Sequence, residues 1–339
     1  MITRYPLRIL LTLLVGHASL CAAGFPQELL KQPDAWYGTD EGLKTTACVL
    51  SWQSEQGSWP KNKDTTQALN SGSRGKVAGT FDNKATTDEL RHLARAYQAT
   101  RDETCKSAFL LGFDNILKAR YPNGGWPQTF PLGKKGYSRH ITFNDNTMVR
   151  LMQFLGEVAA DDAYSFVNAD RRSAARAAVD RGVDCVLKCQ IVIAGKSTVW
   201  CAQHDEVTFA PALARTYELP SLSGSESAGV LRFLMSIDKP SPEVVRAVKA
   251  GVAWFEAAKI DGVRIEKVNG DRQVIVDPTA PPVWARFYDL ETGSPFFCDR
   301  DGVKKTQLAE IGKERRNGYA WYGNWGDAVA KEYAKWPHR

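Results

Sequence analysis

Two aspartates set among asparagines, Asp82 beside Asn83 and Asp145 between Asn144 and Asn146, are the residues of this sequence best suited to chemistry. Gln203, His204, Asp205, Arg215 and Glu226 are further candidates. Carboxylate and amide oxygens without thiolates suit a hard cation, Ca²⁺ rather than zinc. No contiguous calcium loop is present, so the same residues admit other readings. An aspartate in front of a helix commonly serves as its N-cap, which would explain Asp82 and Asp145 without a metal. Asp82, Asp145 and Glu226 around one groove would also suit glycoside hydrolysis by paired carboxylates. His140 and His204 are potential general bases, although a lone loop histidine more often holds structure by hydrogen bonding. The sequence contains no nucleophile elbow, phosphate-binding loop or dinucleotide fingerprint.

An internal repeat supplies the elements that must position these groups. Each unit is an amphipathic helix, a turn carrying a tryptophan, a loop, and a second helix. In the first unit Leu43, Ala47 and Leu50 share a helical face, the turn holds Trp59-Pro60, and Leu90, Leu93, Ala94 and Tyr97 follow with period 3.6. The second unit runs through Phe109, Phe113 and Ile116 to Trp126-Pro127, then through Met148, Leu151 and Leu155. The third runs through Val179, Val183 and Val186 to Trp200, then from Ser223 through Val230, Phe233 and Leu234. Ser241-Pro242-Glu243 opens another helix with a cap, a first-turn proline and an acid at the positive helix end. Residues 257 to 325 read as loops and short strands, and a short helix is expected from Asp327. Up-down connectivity puts every tryptophan turn at one end of the assembly. Asp82, Asp145 and the segment 200 to 226 should therefore share one mouth.

The N-terminus reads as an export signal: Arg4 and Arg8, the apolar run Ile9 to Val15, then small residues to Ala23. The run is too short to span a bilayer. Leu20 ahead of Cys21 disfavours acylation, so cleavage near Ala23 is expected, leaving residues 24–339 as one domain that is secreted or periplasmic. The whole chain of 339 residues carries a net charge of +6, and loss of the two leader arginines leaves a mild +4. That charge is compatible with an anionic polymer. No basic run with interleaved aromatics points to nucleic acid, and no later segment is apolar enough to cross a membrane. Six cysteines remain beyond Cys21, an even number that permits disulfides in an exported protein. Cys189 with Cys201, across a turn, is a candidate bridge. The incomplete ligand set around Cys185, Cys189 and Cys201 argues against zinc.

Several long segments together resemble polysaccharide lyase family 10. They are Gly79-Thr-Phe-Asp-Asn-Lys-Ala-Thr86, Asn123-Gly-Gly-Trp-Pro-Gln-Thr-Phe-Pro131, Ile141-Thr-Phe-Asn-Asp-Asn-Thr-Met148 and Thr198-Val-Trp-Cys-Ala-Gln-His-Asp205. Ala214-Arg-Thr-Tyr-Glu-Leu-Pro220, Arg286-Phe-Tyr-Asp-Leu290, Phe296-Phe-Cys-Asp-Arg-Asp-Gly302 and Arg316-Asn-Gly-Tyr-Ala-Trp-Tyr-Gly323 continue the match in order. The resemblance implies an all-α fold: an (α/α)₃ toroid of helical hairpins, with long loops and a few short strands at one mouth. It implies a monomeric, calcium-dependent pectate lyase that cleaves polygalacturonate by β-elimination. Asp82 and Asp145 match calcium-holding acids, Arg300 the arginine that takes the C5 proton, and Arg215 an arginine beside the uronate carboxylate. Arg286, Asn146, Tyr319 and Trp126 are expected to contact substrate. The competing readings are a glycoside hydrolase on a helical toroid and a non-catalytic pectin-binding protein.

Overall fold

The structure is a computed structural model that describes residues 24–69, 76–134 and 136–339. The expected leader, residues 1–23, lies outside the described residues. Helical hairpins dominate. Helices α1 (Asp40–Ser51), α3 (Glu103–Ala119), α5 (Ala169–Cys189) and α7 (Pro242–Ala257) expose one face. Helices α2 (Thr87–Thr100), α4 (Thr147–Ala160) and α6 (Gly224–Met235) are buried on most sides, the pattern of inner helices wrapped by others. α2 packs on α3, α4 on α5 and α6 on α7, while α4 also touches α2 and α6. This is the helical toroid that the repeat and the resemblance imply. Ser223 caps α6 through the Glu226 N–H, and Ser241 caps α7, with Pro242 in its first turn. One apolar core runs from Tyr37 through the inner helices to Trp336.

The repeated tryptophans explain how each hairpin closes. The indole N–H of Trp59 donates to Val49 O at 2.8 Å, that of Trp126 to Ile116 O at 2.9 Å and that of Trp200 to Val186 O at 2.7 Å. Each acceptor lies in the last turn of the preceding helix, where carbonyls have no intrahelical partner. Trp284 repeats the device on Phe255 O at 2.8 Å, a fourth copy that the sequence spacing did not announce. Trp126 is fully buried in this role. Its expected contact with substrate is therefore corrected: the ring has no surface left for a ligand.

Residues beyond α7 form the six-residue hairpin strands Val263–Val268 and Asp271–Val276, short two-residue strands, a short helix α8 (Lys313–Gly318) and α9 (Trp325–Tyr333). α9 packs on α6 and α7. The cysteines Cys48, Cys105, Cys185, Cys189, Cys201 and Cys298 are all free. The expected Cys189–Cys201 bridge is therefore not formed; burial pushes the Cys201 thiol pKa up and keeps it protonated. Among the described residues no helix is long and apolar enough to cross a membrane.

Candidate active site

Backbone hydrogen bonds stitch the loops of successive units into one mouth. Thr80 N donates to Trp59 O, Phe81 N to Gln128 O, Thr142 N to Trp126 O and Phe143 N to Ala202 O, all within 2.9–3.1 Å. Ser223 N then donates to Trp200 O, Gly224 N to Arg286 O and Arg286 N to Trp321 O. The expected shared mouth is thus present. At its centre the N-terminal turns of α2, α4 and α6 surround a depression of about 380 Å³, into which Lys61, Asn83, Asp88, Asp145, Asn146 and Arg150 project among others.

Asp82 and Asp145 are not helix caps. Thr86 caps α2 in a capping box with Glu89, and Asn146 occupies the cap position of α4. Asp82 lies four residues before its cap and Asp145 one, in 3-10 turns at Asp82–Lys84 and Asn144–Asn146. In the two turns Phe81 corresponds to Phe143 and Asn83 to Asp145: Asn83 has φ 51° and Asp145 φ 50°. The acid has moved by one position between the repeats, so the two carboxylates reach the mouth from different backbone geometries. Lys84, Thr86 and Asn146 also have positive φ, at 71°, 74° and 60°. Such backbone costs on the order of 1–3 kcal/mol per residue and is typically retained where a site requires it.

The carboxylate partners differ. Asp82 has a side chain only 2 % exposed; it accepts from Lys61 Nζ at 2.5 Å, Gln128 Nε2 at 2.8 Å and Asn83 N at 3.0 Å. Asp145 is 41 % exposed, accepts from Asn144 Nδ2 at 2.9 Å and lies 3.5 Å from Arg286 Nη2. The same Nη2 donates to Glu226, which also accepts from Ser223 Oγ. Burial by itself disfavours the Arg286 cation, but the charges of Glu226 and then Tyr319 and Asp145 outweigh it and raise its pKa. Glu226 is buried and paired with Arg286, so of the three carboxylates considered for glycoside hydrolysis only Asp145 is open to the mouth.

Arg286 lies over the Tyr319 ring at 4.6 Å, and Arg215 approaches the same ring at 5.7 Å. Glu218 joins them, accepting from Tyr319 Oη at 2.7 Å and from Arg215 Nε at 2.7 Å. Burial pushes the Tyr319 hydroxyl well above its ordinary pKa, which makes it a donor and not a base. Arg300 stands further out. Its side chain is 63 % exposed, it donates to both oxygens of Glu314 at 3.1 and 3.2 Å, and it reaches the Tyr217 ring at 5.9 Å. The hydrogen bonds it donates to Glu314 raise its pKa.

The histidines are structural or peripheral. His204 is fully buried; its Nε2 accepts from Cys201 N at 3.0 Å, so its Nδ1 donates to Phe209 O at 2.8 Å. Burial lowers its pKa to about 4, leaving it neutral. His140 meets Glu206 at 3.0 Å, and with Asp205 these place ligand atoms within 4.8 Å of one another. Glu206 also takes Arg139, and Asp205 closes a turn onto Val207 N and Thr208 N. The central depression could also hold a hard cation: among the described residues no sulfur or imidazole lines it, Asp145 faces it, and Lys61, the partner of Asp82, lines its wall.

The sequence matches the pectic acid lyase family model over residues 53–330, and the chain belongs to that family. None of the curated proteins matches it. Among solved structures, a family 10 polysaccharide lyase from Cellvibrio cellulosa superposes with a TM-score of 0.81 at 36% identity, covering 95% of this chain and 99% of that one. An aspartate-to-alanine mutant of the Cellvibrio family 10 lyase, in complex with trigalacturonic acid, superposes equally, at 0.81 and 36%, over 91% and 96% of the two chains.

Proposed function

We propose that this chain is an exported, monomeric, calcium-dependent pectate lyase that cleaves α-1,4-linked polygalacturonate by β-elimination. The carrying observation is the central depression, where Asp145 is backed by Arg286 and neighbours the Asp82 turn. The solved relative bound to trigalacturonic acid supports the substrate class.

Removing the C5 proton of a uronate adds charge beside an existing carboxylate. Calcium held between Asp82 and Asp145 would neutralise that carboxylate. Arg286 fixes the orientation of Asp145, and arginine forks at the mouth hold uronate carboxylates so that C5–H faces the base. The base takes the C5 proton, the C5–H electrons form the C4–C5 double bond, and the C4–O bond breaks with its electron pair on the departing oxygen, which takes a proton from water. The product is a 4,5-unsaturated uronide and a new reducing end.

The base must be a group that is deprotonated in the complex. A guanidinium has a pKa above ~12 and is charged in free protein, so an arginine base requires alkaline conditions and neighbouring cations. Motif resemblance favours Arg300. A specific observation favours Arg215 instead: it shares Tyr319 with Arg286, whereas Arg300 faces Glu314 at the exposed rim. The reading as a whole is tested by following the ultraviolet absorbance of the unsaturated product from polygalacturonate at alkaline pH. A rise abolished by chelator and restored by calcium is the expected result. New reducing ends without that absorbance would indicate a hydrolase. Binding of galacturonan without any product would indicate a non-catalytic binding protein.

A further inference from the structure

Arg150, in the first turn of inner helix α4, faces the central depression and has no hydrogen-bond or ion-pair partner among the described residues. Its neighbours in charge contrast with it. Lys61 is held by Asp82, and Lys84 donates to Gln27 at 2.5 Å. Elsewhere around the mouth, Arg215, Arg286, Arg300 and Arg315 each have a carboxylate partner. Asp88, whose position lets it balance Arg150 electrostatically, is instead engaged by Arg91 at 3.2 Å and by Gln27 at 2.9 Å. Arg150 is partly buried, and that burial lowers its pKa from the ordinary value. A partly desolvated guanidinium with a free planar fork gains most from an acceptor of matching shape, which is a carboxylate.

We propose that Arg150 is a specificity-determining residue that receives a uronate carboxylate inside the depression, and that it discriminates against the methyl ester. The proposal rests on the lyase reading of the same site. A free carboxylate accepts two parallel N–H bonds from the fork. An ester at that sugar carries no charge and presents a methyl group where one of those bonds would form. One carboxylate of a bound oligomer then belongs to the Asp82–Asp145 turns and another to Arg150, so that de-esterified stretches of polymer are selected.

The test compares wild type with Arg150→Gln and Arg150→Lys. Binding of trigalacturonate and of its methyl ester is measured calorimetrically with chelator present, and turnover is measured on polygalacturonate and on methyl-esterified pectin. Loss of a charge-assisted pair predicts that Arg150→Gln binds trigalacturonate about 10-fold to 100-fold more weakly while its affinity for the ester hardly moves. In turnover the loss falls on KM, the preference for polygalacturonate shrinks, and Arg150→Lys recovers part of both. Unchanged trigalacturonate affinity in Arg150→Gln would overturn the proposal. Equal loss for acid and ester, together with a lowered melting temperature in both variants, would also overturn it and make Arg150 a structural counter-charge. The binding arm involves no catalysis, so it reports on Arg150 even if wild type forms no unsaturated product, the outcome that would sink the lyase reading itself.

Discussion

Nη2 of Arg286 lies 3.5 Å from the Asp145 carboxylate while donating to the buried carboxylate of Glu226, so one guanidinium nitrogen connects the floor of the mouth to the core beneath it. Removing the guanidinium affects both. Arg286→Met leaves Glu226 as an unpaired buried charge, which typically costs about 3–5 kcal/mol. A fall of several degrees in melting temperature and loss of turnover are expected. Adding Glu226→Gln to this variant should restore much of the melting temperature but not the turnover, because Asp145 remains without its support. Calorimetry with a product assay separates the two effects.

On the proposed function, Lys61 and a divalent cation would compete for the Asp82 carboxylate. Its ammonium lies 2.5 Å from Asp82, whose side chain is nearly inaccessible. Lys61→Met should destabilise the chelated protein, since the Asp82 charge loses its counter-ion. It should also lower the calcium concentration for half-maximal activation severalfold, because binding no longer displaces an ammonium. Thermal shift against calcium concentration reads both, as preferential binding to the folded state raises stability with ligand concentration. An unchanged calcium midpoint would mean that Asp82 is not a ligand.

Most of the fold was legible because its period and its caps are local. The helical faces of α1 to α7, the Ser223 and Ser241 caps and the common mouth follow from spacing and chain direction alone. The Trp284 turn escaped notice because its strand-rich surroundings hide the repeat. Of the two readings open for Asp82 and Asp145, the N-cap one fails because positive-φ backbone at Asn83, Thr86, Asp145 and Asn146 shifts the helix starts, and positive φ leaves little trace in residues other than glycine. Trp126 was misplaced because a turn tryptophan looks the same whether it stacks on a ligand or donates to a helix end. Arg150 is not legible in the sequence for another reason: only the folded structure shows which of many arginines lacks a partner.

Glu89 makes the stability of the mouth depend on pH. Burial raises its pKa from 4.5 to about 8, while Thr65 and Thr86 N donate to its carboxyl. Between those values the folded chain holds a proton that the unfolded chain has released, so this group's contribution is largest at low pH. It declines as pH rises from about 4.5 and is fully lost above about 8, where the buried carboxylate must ionise. Glu89→Gln keeps the capping geometry without the titration. Its melting temperature should match that of wild type below about pH 4.5 and exceed it by a margin that grows until about pH 8. Parallel curves for the two proteins across that range would contradict the assignment.

The choice between Arg215 and Arg300 as base is decided by two variants and a pH profile. Arg215 pairs through both its Nε and Nη2 with Glu218, whose hydrogen bonds and charge overcome the effect of burial and raise the arginine pKa. From its contact with the Tyr319 ring that Arg286 also covers, Arg215→Ala should lower kcat by about 100-fold or more, the usual contribution of a general base. Arg300→Ala, at the exposed rim, should act mainly on KM. The opposite pattern would assign the base to Arg300. Glu218→Gln adds an independent test, because it removes the group that holds Arg215 protonated. A base must lose its proton to act, so a lower Arg215 pKa moves the rise of the pH–rate profile toward neutral pH. If Arg300 is the base, Glu218→Gln leaves the position of that rise unchanged and Glu314→Gln shifts it instead.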